Sequence, residues 1–149
     1  MTVYLDCNAT TPVEPEVAEI VRFYTEQEFG NAGSRTHEFG VRAKQAVLEA
    51  RQKVAALIPG IDSSDVVFTS GATESNNIAI LGLLNWAQKN GRRHIITTAI
   101  EHKAVLEPIA FAESRGFEVT RISPSGSGAI DASAVSKAIR DDTFLISVM

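Results

Sequence analysis

Cysteine is almost absent from this chain: Cys7 is the single one in 149 residues. That excludes a disulfide framework within the chain and any multi-cysteine metal site, and it makes a reducing cytoplasm the expected location. Basic residues are also in deficit, 14 Lys and Arg against 18 Asp and Glu for a net charge of -4, so no sequence-independent grip on nucleic acid is expected. Long apolar runs are missing. The greasiest stretch, Ile78 to Ala87, is broken by Gly82 and Asn85, and Met1 to Cys7 has neither a basic n-region nor an apolar h-region. Neither membrane spanning nor secretion is therefore expected. The chain has no repeat, no low-complexity tract, no G-x-G-x-x-G fingerprint and no Gly-Lys-Ser/Thr of a nucleotide P-loop, which removes the common dinucleotide and nucleotide motifs.

What remains is 44% hydrophobic and 21% charged, the balance of a globular domain able to bury a core. Glu16 to Glu28 reads as a first helix opened by Pro12 and Pro15, with Val17, Ile20, Val21 and Tyr24 at helical spacing, and Gly30 ending it. A second helix carries Ala43, Ala46, Val47, Ala50, Val54 and Leu57 on one face and stops at Pro59 and Gly60. Short β-branched or apolar runs at Val66 to Thr69, Ile95 to Thr98, Phe117 to Ile122 and Thr143 to Val148 read as strands. Helices are expected between them at Thr73 to Lys89, Lys103 to Arg115 and Ala132 to Ile139. This succession predicts an α/β fold with a mainly parallel, helix-covered sheet. The helix with Ile78, Ala79, Ile80, Leu81, Leu83 and Leu84 is apolar nearly all round and should be buried.

Ligands of open α/β sheets collect beyond the carboxyl ends of the strands, which draws attention to two segments. Thr69-Ser70-Gly71-Ala72-Thr73-Glu74-Ser75-Asn76-Asn77 passes from an expected strand into the apolar helix through small residues. The amides of Gly71, Ala72 and Thr73 would face outward there as an anion cup, with the Thr73 hydroxyl as an added donor and the helix dipole favouring negative charge. The plainer reading is that Ser70 or Thr73 merely caps the helix. In Ile100-Glu101-His102-Lys103, His102 stands where the next helix should start and could face a bound ring or move a proton, although a lone histidine in a turn is more often a surface or capping residue.

These neighbours, taken together, resemble the cysteine desulfurase branch of the class V aminotransferases. The nine residues Thr69 to Asn77 resemble its phosphate-binding turn. The likeness continues at Tyr4-Leu5-Asp6 with Ala9-Thr10-Thr11-Pro12, at Phe29-Gly30-Asn31 with Ser34 and His37, and at Glu101-His102-Lys103-Ala104-Val105. The resemblance implies the first part of the large domain of a fold-type I enzyme using pyridoxal 5'-phosphate (PLP). Residues 1–37 would form a substrate and dimer arm, and 38–149 an incomplete α/β part. It implies a homodimer that takes sulfur from L-cysteine, releases alanine and passes a persulfide to an acceptor protein. By matching positions Gly71, Ala72 and Thr73 would bind the PLP phosphate, His102 would stack on the ring and assist proton transfer, Ala9 and Thr10 would lie beside the substrate, and Asn31, Ser34 and His37 would shape that region or the dimer contact.

The chain also departs from the family pattern. None of Lys44, Lys53, Lys89, Lys103 or Lys137 matches the family's PLP-holding lysine, and the mobile loop with the sulfur-accepting cysteine is missing, so the expectation is an amino-terminal fragment inactive by itself. Cys7 replaces a residue that varies in the family and is not expected to be that nucleophile. Leu5-Asp6-Cys7-Asn8 and Ala32-Gly33 resemble the branch that supplies sulfur for DNA phosphorothioation, with iron-sulfur and transfer-RNA pathways left open. A selenocysteine lyase, another class V aminotransferase and a non-catalytic interaction module are the alternatives.

Overall fold

A computed structural model describes residues 2–149; Met1, where the signal-peptide reading begins, lies outside the described residues. The chain divides into two compact units, one up to Val67 and one from Phe68 onward.

In the first unit, α1 spans Pro15–Glu26 and α2 spans Glu38–Ala55. Proline opens α1, where its missing N–H costs nothing and its fixed φ suits the helix. None of the residues of α1 is buried. Helix α2 starts on His37, whose ring accepts from the Gly40 amide, and it buries Gly40, Ala43 and Ala55. A single 3-10 turn at Ser63–Asp65 follows, held by a reciprocal capping box between Asp62 and Asp65.

The second unit runs α3 (Ala72–Lys89), β1 (His94–Thr98), α4 (Lys103–Ser114), β2 (Glu118–Ile122), α5 (Ala132–Ala138) and β3 (Thr143–Ile146). Its sheet is three-stranded, in the order β2-β1-β3, with both pairings parallel. All five β1 residues are buried, as expected of a central parallel strand covered on both faces. Ile95 packs with Ile80, Leu84 and Ala87 of α3, with Val105, Ile109 and Ala112 of α4, and with Phe117, to form the core. The elements therefore arrive in the expected α/β order, with ends that move by a residue or two.

Two expectations are corrected. Val66 to Thr69 is not a strand, because no neighbouring strand among the described residues offers it a ladder. Val66 is extended, and its carbonyl accepts from the Arg51 guanidinium instead. Helix α3 is not buried all round either: Ile80, Leu84 and Ala87 are, whereas Ile78 and Trp86 are half exposed. Its apolar character exceeds what one three-stranded sheet and one neighbouring helix can cover.

Candidate functional site

The chain enters α3 through a turn in which the side chains of Thr69, Ser70, Glu74 and Ser75 are engaged with one another and with the Gly71 carbonyl. The Ser70 amide and hydroxyl both donate to the Glu74 carboxylate, each at 2.7 Å. Thr69 and Ser75 pair through their hydroxyls at 2.7 Å and both reach the Gly71 carbonyl. Gly71, the residue before the helix, is extended and offers no side-chain cap. The amides of the first turn are thus left without the partner that a capping serine or threonine would supply. The Glu74 carboxyl is held below the usual carboxylate range by the backbone amide and then the hydroxyl of Ser70, so it stays ionised and committed to that residue. The simple capping reading of Ser70 and Thr73 therefore fails. A Cβ added at Gly71 would meet nothing within 4 Å, so no packing within this chain demands glycine there.

His102 is the residue that opens α4. Its backbone is extended, and its Nδ1 accepts from the Ala104 amide at 3.0 Å, which leaves Nε2 as the nitrogen carrying the ring proton. Thr73 and Asn77 of α3 and His102, Lys103 and Glu107 at the start of α4 line one cleft of about 500 Å³. Leu81, Ala104, Pro108 and Phe111 complete the lining, so the cleft runs between the facing sides of α3 and α4, and of the α3 entry turn it is Thr73 that shares it with His102. Those two fit parts of a phosphorylated ring, a hydroxyl that can donate to an anion and a flat partner for the π face, while Gly71 and Ala72 are not in the lining.

The remaining expected residues belong to the first unit. The Tyr4 hydroxyl bonds the Thr10 hydroxyl at 2.6 Å, and the amides of Ala9 and Thr10 both reach the Asp6 carbonyl, so the Ala9-Thr10 stretch is a tied turn. Asn31 accepts from the Gly33 amide at 2.8 Å, and Ser34 bonds His37 Nε2 at 3.0 Å. Both ring nitrogens of His37 are then used locally. A Cβ at Gly30 would lie 2.2 Å from the Phe39 carbonyl oxygen, and one at Gly40 2.7 Å from that of Ser34, so those glycines answer to close backbone approach. Cys7 is exposed, as are Lys44, Lys53, Lys89, Lys103 and Lys137.

One constellation was not legible beforehand. Glu101 Oε1 accepts from the Thr98 hydroxyl and from the Ser147 hydroxyl, each at 3.2 Å. Glu101 stood in a recognised motif, but nothing in the sequence joined it to Ser147, which lies 46 residues on. Among the described residues no group of His, Cys, Asp and Glu could hold a metal ion, and no helix is long and apolar enough to cross a membrane.

Comparison with known proteins places the chain among described relatives. The chain is 51% identical over 151 aligned residues to the cysteine desulfurase IscS of Salmonella arizonae, covering all of this chain and 37% of that protein. Among solved structures, DndA from Streptomyces lividans superposes with a TM-score of 0.84 at 52% identity, over 99% of this chain and 40% of its own. SspA, solved in complex with cysteine, superposes with a TM-score of 0.86 at 41% identity, over 99% and 42%. The chain thus spans well under half the length of these relatives. The sequence model of the aminotransferase class-V family matches residues 3–149, and the chain belongs to that family.

Proposed function

We propose that this chain supplies the phosphate-binding helix start and the ring-facing histidine of a PLP-dependent cysteine desulfurase. The observation that carries the reading is the single cleft lined by Thr73, at the start of an uncapped α3, and by His102. PLP, when bound, supplies an electron sink for the carbon bearing the substrate amine. The amides of Ala72 and Thr73 and the Thr73 hydroxyl would hold its phosphate, aided by the α3 dipole, with Gly71 leaving the approach open. His102 would lie against the ring. With Nδ1 engaged by the Ala104 amide, the Nε2–H would be the edge that donates a hydrogen bond toward the site, and a proton taken up by the ring would enter at Nδ1 once the Ala104 bond opens. Ala9 and Thr10 belong to the substrate side.

L-cysteine is the proposed substrate, supported by the IscS relative and by the SspA neighbour with cysteine bound. A protein acceptor for the sulfur, a homodimer and a cytoplasmic setting complete the proposal. The identities to IscS, 51%, and to DndA, 52%, do not separate the pathways, so the proposal ends at the persulfide.

The test is a chimera joining residues 1–149 to the remaining length of the Salmonella relative. Given PLP and L-cysteine, it is expected to colour and to release alanine. Thr73→Val is expected to weaken PLP retention roughly tenfold, the worth of one hydrogen bond to a charged group at its lower end. A chimera that folds, retains PLP and is indifferent to both Thr73→Val and His102→Asn would refute the site.

A further inference from the structure

The loop carrying His102 is tied to the sheet at a point the proposed chemistry does not use. Thr98 ends β1, the central strand, and Ser147 lies just beyond the end of β3, where its amide donates to the Ile96 carbonyl at 2.9 Å. Their hydroxyls converge on one oxygen, Glu101 Oε1, at 3.2 Å each. Glu101 immediately precedes His102. Its side chain thus joins the carboxyl ends of two adjacent parallel strands to the turn that leads through His102 into α4. On the other side the amide of Ala99 donates to the Ile122 carbonyl at 2.9 Å, so β2 grips the same turn from the opposite flank. His102 itself is exposed, and among the described residues the hydrogen bond to its ring is local, from the Ala104 amide. The ties that join this turn to the sheet are therefore the Ala99 amide to β2 and the Glu101 carboxylate to Thr98 and Ser147.

We propose that Glu101 is a positioning residue, which clamps Thr98 and Ser147 through one carboxylate oxygen and so fixes the turn that presents His102 to the cleft. The proposal rests on the reading of His102 as the ring-facing group. The function it assigns to the Glu101 oxygen is that of a hydrogen-bond acceptor and not of a charge. A glutamine, whose carbonyl oxygen also has two lone pairs to accept both hydroxyls, should therefore replace it, whereas alanine should not.

Two measurements test the clamp. In the 149-residue chain, the ring 15N and 13C shifts of His102 and the exchange protection of the Ala104 amide are compared for the parent, Glu101→Ala, Glu101→Gln and the double variant Thr98→Val with Ser147→Ala. Circular dichroism verifies that each is folded. Glu101→Ala and the double variant are expected to move the His102 signals alike, and Glu101→Gln to leave them near the parent.

In the chimera with PLP, Glu101→Ala should lower kcat roughly tenfold or more with little change in KM for L-cysteine, as loss of orientation does. It should also alter the visible band of the bound cofactor, and Glu101→Gln should restore both. Unmoved His102 signals in a folded Glu101→Ala overturn the clamp, whatever the chimera does. Moved signals with full turnover in an active chimera overturn its functional part, as does a glutamine variant as impaired as alanine. A parent chimera that neither colours nor turns over sinks the desulfurase reading and the functional part together, while the solution shifts still decide the clamp.

Discussion

At the scale of single residues, His102 has two roles that must be separated. It caps α4 through Nδ1, and losing a cap costs about 1 kcal/mol. His102→Ala is therefore expected to lower stability by about that amount, whereas His102→Asn, which keeps a capping acceptor, should stay within about 0.5 kcal/mol of the parent. Urea unfolding of the chain distinguishes them, and equal losses would mean the ring packs rather than caps. Thr97 gives a second test. Its hydroxyl is buried on the central strand without a hydrogen-bond partner among the described residues, so Thr97→Val removes an unsatisfied polar atom at nearly constant shape. A gain of up to about 1 kcal/mol is expected; a loss in the same urea experiment would reveal a partner for the hydroxyl. Residue roles of this sort were only half legible in the sequence. Position marked His102 and Thr73 as candidates, but the uncapped state of α3 depends on Ser70 turning to Glu74, a choice between two acceptable local geometries.

At the scale of elements, the sheet is locked by a histidine that no motif signalled. His94 is fully buried at the start of β1, and its ring bonds the Thr143 hydroxyl of β3 at 2.7 Å and the Thr120 hydroxyl of β2 at 2.8 Å. Thr143 is itself held by the Arg140 amide at 2.8 Å. Burial, and after it the Arg140 guanidinium, pushes the imidazole below its ordinary 6.5, against opposing contributions from Asp142 and Glu118. A folded value below the unfolded one means that the unfolded chain takes up the proton first. The stability from neutral His94 is therefore complete above pH 6.5 and is lost as pH falls through the lower folded value. Thermal unfolding followed from about pH 7 down to about pH 5 should show a falling midpoint that flattens in His94→Asn. An unchanged slope would assign the acid sensitivity to the carboxylates, of which Glu113, Asp131 and Asp142 are also held low by their partners. Element type and order were readable from hydrophobic periodicity. The Val66 to Thr69 run was misread because a β-branched sequence permits extension but does not create a neighbouring strand to pair with.

At the scale of the whole molecule, burial is incomplete in both units. Val17, Ile20 and Val21 of α1 are 52–60% exposed, and Ile78 and Trp86 of α3 about half. In the sheet, β2 and β3 each leave one edge unpaired. Apolar surface and open strand edges invite association. The isolated chain is therefore expected to bind a hydrophobic dye and to grow in mass with concentration by light scattering, and the chimera to do both less. A dye-silent, monodisperse chain would show that these faces are tolerated as they stand. Borohydride reduction in the presence of PLP should label no single lysine specifically, since all the lysines are exposed. A unique adduct at Lys103, the one that lines the cleft, would change the account of what holds the cofactor.

The order of the helices and of the three strands that form, the small-residue turn into α3 and the placement of a histidine at the head of α4 were written in the sequence, because periodicity, β-branching and turn chemistry act over a few residues. Tertiary structure alone decided that Glu101 meets Ser147, that His94 bridges three strands, and that α3 is covered on one face only. Each of these depends on which distant segments the parallel sheet brings side by side, and hydrogen-bonding partners 26 to 49 residues apart leave no local trace in a chain.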